Sequence, residues 1–281
     1  ILGSIQNTLY WDQNTGMPKK GASWRSEQLT YIAKVLHERN SSEEFSNLIQ
    51  SAKNELADIE RNSDNQLFIK DKERNISLLL KEFNRERNLD PKLVESLAKA
   101  KSKGYESWQE AKEKSDFKIF LPFFEELVKL RIEEAKQISI QCSPWETLAQ
   151  PFEPELNLKW LNKIFQPLKE TIPGLIRAIN KSQKNHWDLS PESQKNLCSK
   201  LLDEFGRDRD LVVVGQSPHP FSITLGPNDF RITTRIVEGE PLSSFLATAH
   251  EWGHSIYEQG LPSQSHQWFA WPLGQATSMG I

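Results

Sequence analysis

The stretch that decides the fold is PLSSFLATAHEWGHSIYEQ, residues 241–259, near the end of the 281-residue sequence. Its apolar positions 242, 245, 246, 249 and 256 lie three to four apart, and Pro241 suits the first turn of a helix. The stretch therefore predicts one helix over 241–259. Because His250 and His254 are four residues apart, their imidazoles lie one turn apart on one face of that helix.

The sequence just before this helix changes from helical spacing to short β-branched and aromatic runs. Three valines at 212–214, the run around Ile223 and the pair Thr233-Thr234 are separated by SP and GPND turns. We expect a small sheet of two or three strands within residues 211–236.

The long N-terminal part, residues 1–205, is predicted to be helical. From Arg25 to Cys142 it is dense in Glu, Lys, Leu and Ala, and its apolar residues recur at helical spacing. Helix starts are expected at Asp90, before Pro91, and at Ser115-Asp116. The proline-bearing stretch 143–157 is predicted to be a loop, and two further helical segments follow it. The expected fold class is mainly α: a long helical bundle with a small β-sheet beside the helix predicted for 241–259.

Composition indicates a globular chain and excludes several partners. The chain is 37% hydrophobic and 26% charged, its net charge is −3, and it contains no apolar run of the roughly 18 to 20 residues that a membrane span needs. Its two cysteines, Cys142 and Cys198, form neither a disulfide framework nor a thiolate metal cage. We therefore expect a cytoplasmic protein that binds neither nucleic acid nor membrane.

The five residues His250 to His254 form an H-E-x-x-H motif, which carries chemistry. Two imidazoles one helical turn apart can reach a shared ion at about 2.0 to 2.1 Å, and Zn²⁺ accepts such ligands. Glu251 lies beside that ion, where its carboxylate can take a proton from metal-bound water and pass it to a leaving amine. The motif indicates amide hydrolysis, with His250 and His254 as ligands and Glu251 as general base. Chance formation of the motif in a chain with six histidines is on the order of one in a hundred.

A catalytic zinc site has three protein ligands, and the third is missing from this helix. Glu258 shares a face with the two histidines, but positions 250 and 258 are separated by roughly 12 Å of helical rise, too far for one ion. The third-histidine pattern of metzincins fails, because Gly260 stands where that histidine belongs. Further along, His266 is the only conventional ligand, and within SQSHQW it is expected to be a loop histidine. The ligand set is therefore incomplete within these residues. Co²⁺ and Mn²⁺ remain alternatives to Zn²⁺, since two imidazoles do not select among these ions.

Several motifs along the whole chain resemble those of one family. HEWGHSIYEQGLP (250–262), followed by PLGQATSMG (272–280), is similar to the metal helix and the following loop of the thermostable, Taq-type carboxypeptidases of peptidase family M32. The segments HPF (219–221) and DFRITTR (229–235) resemble that family's HPF and DxRxxT boxes. Two upstream signatures also match, one through Trp11-Asp12, Thr15, Met17-Pro18, Gly21, Arg25 and Gln28, the other through Trp108, Ala111, Asp116-Phe117, Phe120 and Pro122.

The resemblance implies that residues 1–281 form part of a single M32-type catalytic domain with a gluzincin-like fold. In the family, a loop ending S-x-G-x is followed by H-E-S-Q-S, whose Glu is the third metal ligand. Here the corresponding loop ends at Ile281, so the ligand is expected at the second residue beyond it, and the fold is expected to be truncated at its C-terminus. The resemblance also implies a homodimer and a peptide substrate with a free C-terminus.

Six other residues are candidates for substrate binding or for orienting the ligands. His219 has either a direct role or a place in a rigid hairpin corner. Arg231 and Arg235 could hold a peptide backbone or a carboxylate, whereas Asp229 could simply close a turn. Tyr257 and Glu258 could orient the histidines.

The expected activity is that of a metallocarboxypeptidase that removes C-terminal residues through a metal-activated water. Two alternatives stay open: an oligopeptidase or endopeptidase of the helical HExxH kind, and a catalytically inactive helical fragment without the third ligand. We expect weak metal binding and little activity from the 281-residue chain.

Overall fold

The computed structural model describes residues 1–60, 66–153, 156–179 and 189–261. The helices of these residues are α1 Leu2–Thr15, α2 Ala22–Asn40, α3 Glu43–Glu60, α4 Gln66–Glu86, α5 Pro91–Lys114, α6 Phe117–Ile138, α7 Pro144–Ala149, α8 Leu158–Ala178, α9 Pro191–Glu204 and α10 Pro241–Gln259, with a 3-10 turn at Lys19–Gly21. The strands are β1 Val212–Gln216, β2 Ser222–Gly226 and β3 Asp229–Thr234.

This architecture confirms the predicted fold class, which is mainly helical with a small sheet beside the HExxH helix. The bounds of α10 coincide with the predicted 241–259. The predicted helix starts are also observed: the side chain of Asp90 accepts a hydrogen bond from the backbone N–H of Lys92, and Asp116 does the same for Lys118. These caps satisfy N–H groups that the first turn of a helix leaves unpaired.

The loop prediction for residues 143–157 is wrong in its first half, where α7 forms a short helix. Ser143 and Glu146 make a capping box, because the Ser143 hydroxyl accepts from the backbone N–H of Glu146 and the Glu146 carboxylate accepts from that of Ser143. Pro144 stands at the first helical position. The prolines that suggested a loop are here compatible with a helix start.

The helical part is organised around α5, which packs against α2 on one side and α6 on the other. Its buried side chains include Leu93, Leu97 and Ala100, and α2 contributes the buried Leu29. Helix α1 packs on α2, α3 pairs with α4, and α7 packs on α6.

The sheet has the strand order β1-β3-β2, with β3 in the centre. Strand β1 runs parallel to β3 and β2 runs antiparallel to it, with an irregularity in register near Gly226. Helix α1 lies against this sheet: the side-chain amide of Asn7 donates to the backbone carbonyl of Thr224 at 2.8 Å, and the ring of Trp11 packs edge-on against Phe221. The N-terminal helix is thus joined to strands more than 200 residues later.

A compact apolar core joins the sheet to α9 and α10. It contains Leu202 of α9, Val212 of β1, Phe230 and Ile232 of β3, and Trp252 of α10, each almost fully buried. This core fixes α10 on the sheet. Separately, no helix among the described residues combines the length and the apolarity needed to cross a membrane.

Candidate metal centre

The residues that α10 buries are mostly not the apolar residues whose spacing predicted the helix. The side chains in contact with the rest of the described fold are mostly small and polar: Pro241, Ser244, Thr248, Glu251, Trp252 and Ser255. The large apolar residues that predicted the helix lie elsewhere, and Leu242, Leu246 and Ile256 are exposed among the described residues. Trp252 alone supplies a large apolar anchor on the buried face.

Buried hydroxyl groups hold this face in register. The hydroxyls of Thr234 and Thr248 are 2.6 Å apart, and Thr248 also donates to the backbone carbonyl of Ser244 at 2.8 Å. These bonds tie the end of β3 to the turn of α10 that precedes His250. Because a buried hydroxyl without a partner is costly, they favour a single position of the helix.

A second link connects α10 to α9 and to the loop before α10. The hydroxyl of Ser244 donates to the side-chain carbonyl of Gln194 at 2.9 Å and accepts from the backbone N–H of Val237 at 3.1 Å. The Gln194 amide also donates to the carbonyls of Leu189 and Val237. This network was not predicted from the sequence. Its only signal was the pair of hydroxyl residues at 244 and 248, four apart on the helix that bears the motif.

The two histidines of the motif meet as predicted. The Nε2 atoms of His250 and His254 are 3.2 Å apart, and the rings are nearly perpendicular with centroids 4.8 Å apart. Ligands at about 2.0 to 2.1 Å in a tetrahedral site lie roughly 3.3 Å from one another. The observed separation therefore fits two nitrogen ligands of one divalent ion.

The electrostatics of the pair also suit metal ligation. Burial lowers the pKa of His254, and the nearby His250 lowers it further. A lowered pKa favours the neutral imidazole, which is the form that binds a metal. His250 itself is exposed among the described residues, so the ion would lie at the outer side of α10.

In contrast to the exposed His250, Glu251 is buried, and it is only 7% exposed. Burial raises its pKa to about 7. Such a carboxyl group can exchange a proton near neutral pH, which is the property required of a general base.

A third ligand is not found within the described residues, where no group of three or more His, Cys, Asp and Glu side chains could hold a metal ion. Glu258 is half-buried, and burial raises its pKa. It lies two turns from His250, as the helical rise predicted. His266 is outside the described residues.

Asp229 and Arg231 form a pair of their own at the start of β3. The guanidinium donates to both carboxylate oxygens of Asp229, at 2.8 and 2.9 Å, and lies 5.5 Å from the ring centroid of Trp11. Hydrogen bonding to Asp229 raises the pKa of Arg231. Arg231 is therefore engaged by Asp229 and α1, and Asp229 does more than close a turn.

The other predicted residues are placed near the other end of β3 and on α10. Arg235 directly follows the last residue of β3 and is therefore outside the strand that bears Arg231. His219 packs edge-on against Trp108 of α5, with centroids 6.5 Å apart, and its backbone carbonyl accepts from the Ser217 hydroxyl. Tyr257 is exposed on α10.

Comparison with known proteins decides the family. The profile described as "Carboxypeptidase Taq (M32) metallopeptidase" matches residues 1–281. The chain belongs to peptidase family M32. This membership implies a divalent metal ion, and it agrees with the pair of imidazoles on α10.

Several M32 proteins resemble the chain over nearly its whole length. Thermostable carboxypeptidase 1 of Thermus thermophilus is 30% identical over 295 residues, which cover 100% of this chain and 56% of that protein. Carboxypeptidase 1 of Bacillus subtilis is 30% identical over 280 residues, which cover 97% of this chain and 53% of that protein. The chain thus spans about half the length of the curated relatives it matches.

Solved M32 structures share the fold. The crystal structure described as BsuCP has a TM-score of 0.83 at 27% identity, over 95% of this chain and 53% of that one. The carboxypeptidase of Pyrococcus furiosus has a TM-score of 0.73 at 26% identity, over 92% of this chain and 52% of that one. The helical bundle, the small sheet and α10 therefore form a unit that recurs within longer M32 proteins.

Proposed function

We propose that the chain is the part of a metallocarboxypeptidase that holds two metal ligands and the general base. The observation that carries this proposal is the 3.2 Å separation of the His250 and His254 Nε2 atoms, next to the buried Glu251, in an M32 chain. His250 and His254 hold a divalent ion, with Zn²⁺ first and Co²⁺ or Mn²⁺ as alternatives.

The ion, when bound, supplies positive charge that polarises a water molecule and the scissile carbonyl. Glu251 accepts the proton of the attacking water and delivers it to the departing amine. Its burial restricts the motion of the carboxyl group, and its raised pKa lets it both take and return a proton near neutral pH. Tyr257 and Glu258, one turn further along α10, orient the ligands.

The whole protein is proposed to remove residues one at a time from peptides with a free C-terminus. The printed names of the relatives, all carboxypeptidases, support this substrate class. Residues 1–281 form part of a single catalytic domain, a glutamate donated from outside the described residues is the third ligand, and the protein acts as a cytoplasmic homodimer. His219 and Arg235, near the C-terminal end of β3, are the candidates for contact with substrate.

A helical HExxH endopeptidase or oligopeptidase is the second candidate. The two activities differ in their need for the terminal carboxylate, so matched peptides with free and amidated C-termini distinguish them. An exopeptidase cleaves the free form only. Equal cleavage of both forms would support the endopeptidase.

The direct test uses a hybrid in which residues 1–281 replace the aligned half of Bacillus subtilis Carboxypeptidase 1 and the rest of that protein is kept. Metal content and release of the C-terminal residue are measured for the hybrid and for three variants. His250→Ala and His254→Ala should lose the metal. Glu251→Gln should keep the metal and lose about 10²- to 10⁴-fold in kcat.

Glu240→Gln, at the exposed start of the same helix, is the matched control and should retain both metal and activity. Hydrolysis that survives complete removal of the metal, or a Glu251→Gln variant with full activity, would refute the proposal. The third candidate, an inactive fragment, predicts that the 281-residue chain itself binds metal weakly and hydrolyses nothing. It is contradicted if that chain alone binds one ion tightly and turns over peptide.

A further inference from the structure

Two consecutive threonines, Thr233 and Thr234, end the central strand β3, and both are buried by the described residues themselves. Side chains of consecutive strand residues point to opposite faces of a sheet. The contacts of β3 follow this rule, because Arg231 packs on Trp11 of α1, whereas Ile232 lies in the apolar core with α10. Thr233 therefore belongs to the α1 face of the sheet and Thr234 to the α10 face.

On the α1 face, Thr233 fastens the corner that bears His219. Its hydroxyl oxygen lies 2.7 Å from that of Ser217, and the Ser217 hydroxyl donates to the backbone carbonyl of His219 at 2.6 Å. Because Ser217 has only one hydroxyl proton, Thr233 is the donor in the bond between the two hydroxyls. The Thr233 oxygen also accepts from the backbone N–H of Phe221 at 2.9 Å. One buried side chain thus holds the turn 219–221 at both ends.

Helix α5 holds the same corner from another side. The ammonium group of Lys112 donates to the backbone carbonyl of Pro218 at 3.0 Å and lies 4.9 Å from the ring centroid of Trp108. The Trp108 ring in turn packs edge-on against the imidazole of His219. The backbone of the corner is therefore fixed by hydrogen bonds from β3 and α5, and the imidazole is in contact with α5.

On the α10 face, Thr234 makes an equivalent arrangement. Thr248 donates its only hydroxyl proton to the backbone carbonyl of Ser244, so Thr234 is the donor across the 2.6 Å between the two threonine hydroxyls. Thr248 precedes His250 by two residues. The bond from β3 therefore reaches α10 within one turn of its first imidazole.

We propose that Thr233 and Thr234 are positioning residues of the catalytic site. Thr233 fixes the corner of His219, and Thr234 fixes the helix that bears His250 and His254. Because the two threonines are neighbours on a strand that is paired on both sides, the two attachments stay in a constant relation to each other. This inference rests on the proposed function, which assigns His219 to the substrate and the two imidazoles of α10 to the metal ion.

The proposal predicts that the two hydroxyls affect different steps of one reaction. Thr233→Val and Thr234→Val remove each hydroxyl and keep the shape of the side chain, whereas Thr233→Ser and Thr234→Ser keep the hydroxyl. The matched control is Thr147→Val in α7, because the hydroxyl of Thr147 is buried and has no hydrogen-bond partner among the described residues. All five variants are made in the hybrid with Bacillus subtilis Carboxypeptidase 1.

Two quantities are measured for each variant. The affinity for Zn²⁺ is obtained by competition with a chromophoric chelator, and kcat and KM are obtained at saturating Zn²⁺ with one peptide that has a free C-terminus. Circular dichroism shows that each variant is folded at the assay temperature. Ser217→Ala and Thr248→Val, which remove the partners of the same two bonds, replace any threonine variant that does not fold.

Thr234→Val should weaken Zn²⁺ binding by about tenfold or more, as is typical when a group that orients metal ligands is removed, and should leave KM unchanged. Thr233→Val should raise KM by about three- to tenfold, which corresponds to the loss of one hydrogen bond to the substrate, and should leave the Zn²⁺ affinity and kcat unchanged. Both serine variants keep the donor and the acceptor, so they and the Thr147→Val control should stay within about twofold of the parent hybrid.

The substitution His219→Ala decides whether Thr233 acts through the imidazole. If it does, Thr233→Val raises KM in the parent hybrid and has no further effect in the His219→Ala background. An undiminished effect in that background, a His219→Ala variant with normal KM, or equal changes of both quantities in the two valine variants would overturn the positioning roles.

Valine variants that match the parent would also overturn these roles but leave the proposed function standing. A parent hybrid that binds no metal would instead refute the proposed function, and the positioning roles with it.

Discussion

Replacing Ser244 by alanine should reveal how strongly the buried network holds the metal helix in place. The Ser244 hydroxyl is completely buried, donates to Gln194 and accepts from the N–H of Val237. Its removal leaves the buried side-chain carbonyl of Gln194 and the partly buried N–H of Val237 without this partner, and each such group costs about 1 to 3 kcal/mol. Alanine regains about 0.5 kcal/mol through its higher helix propensity. The free energy of unfolding should therefore fall by about 1.5 to 5.5 kcal/mol.

The measurement is urea unfolding of the 281-residue chain followed by far-ultraviolet circular dichroism. Ser243→Ala is the control, because it makes the same chemical change one residue earlier at an exposed position of α10. The control should be neutral or stabilising by a few tenths of a kcal/mol. The reasoning fails if the two variants differ by less than about 1 kcal/mol. It also requires that Gln194→Ala cost less in the Ser244→Ala background than in the parent chain, since the two side chains share a bond.

Three further substitutions test other contacts by the same unfolding measurement. Gly215→Ala should destabilise the chain by about 1 to 3 kcal/mol, because a Cβ there would lie 3.0 Å from the ring of Trp11. The control Gly3→Ala, with open space around its Cβ, should be near neutral. Equal effects of the two substitutions would contradict the contact. Ser115→Gly should stabilise by about 0.5 to 1 kcal/mol, because Ser115 ends α5 with φ of 52°, where glycine is unstrained; a loss of stability would refute this. Trp252→Ala should lower the free energy of unfolding by about 3 to 5 kcal/mol. Trp252→Phe should lower it far less, since the indole N–H has no hydrogen-bond partner among the described residues. Similar losses of stability for both variants would show that this N–H matters.

The local signals in the sequence predicted most of the helices. Asp90 and Asp116 as caps and Pro241 at a first turn are short-range features, and the structure bears them out. The same kind of signal was present in Ser143 and Glu146, but the prolines of that stretch outweighed it. The parallel pairing of β1 with β3 depends on contacts between distant segments, which hydrophobic periodicity does not specify.

The part of the candidate site that depends only on the spacing of residues along one helix could be predicted from the sequence. A separation of four residues brings His250 and His254 together on any helix, and their Nε2 atoms meet at 3.2 Å. The residues that position this helix were not predictable, because Gln194 lies 50 positions from Ser244 and reaches it only in the folded chain. The periodicity of α10 was also misleading about burial, since its apolar side is the one that the described residues leave exposed.

The attachment of α1 to the sheet has a consequence for biosynthesis. Asn7 and Trp11 leave the ribosome before their partners Thr224 and Phe221, which are more than 200 residues later in the chain. At 5 to 20 residues per second, the first helix waits about 10 to 40 s for the strands against which it packs. During that interval α1 depends on α2 alone or on a chaperone. Nascent chains stalled before β2 should therefore be cut by protease within the first 15 residues far more readily than released chains.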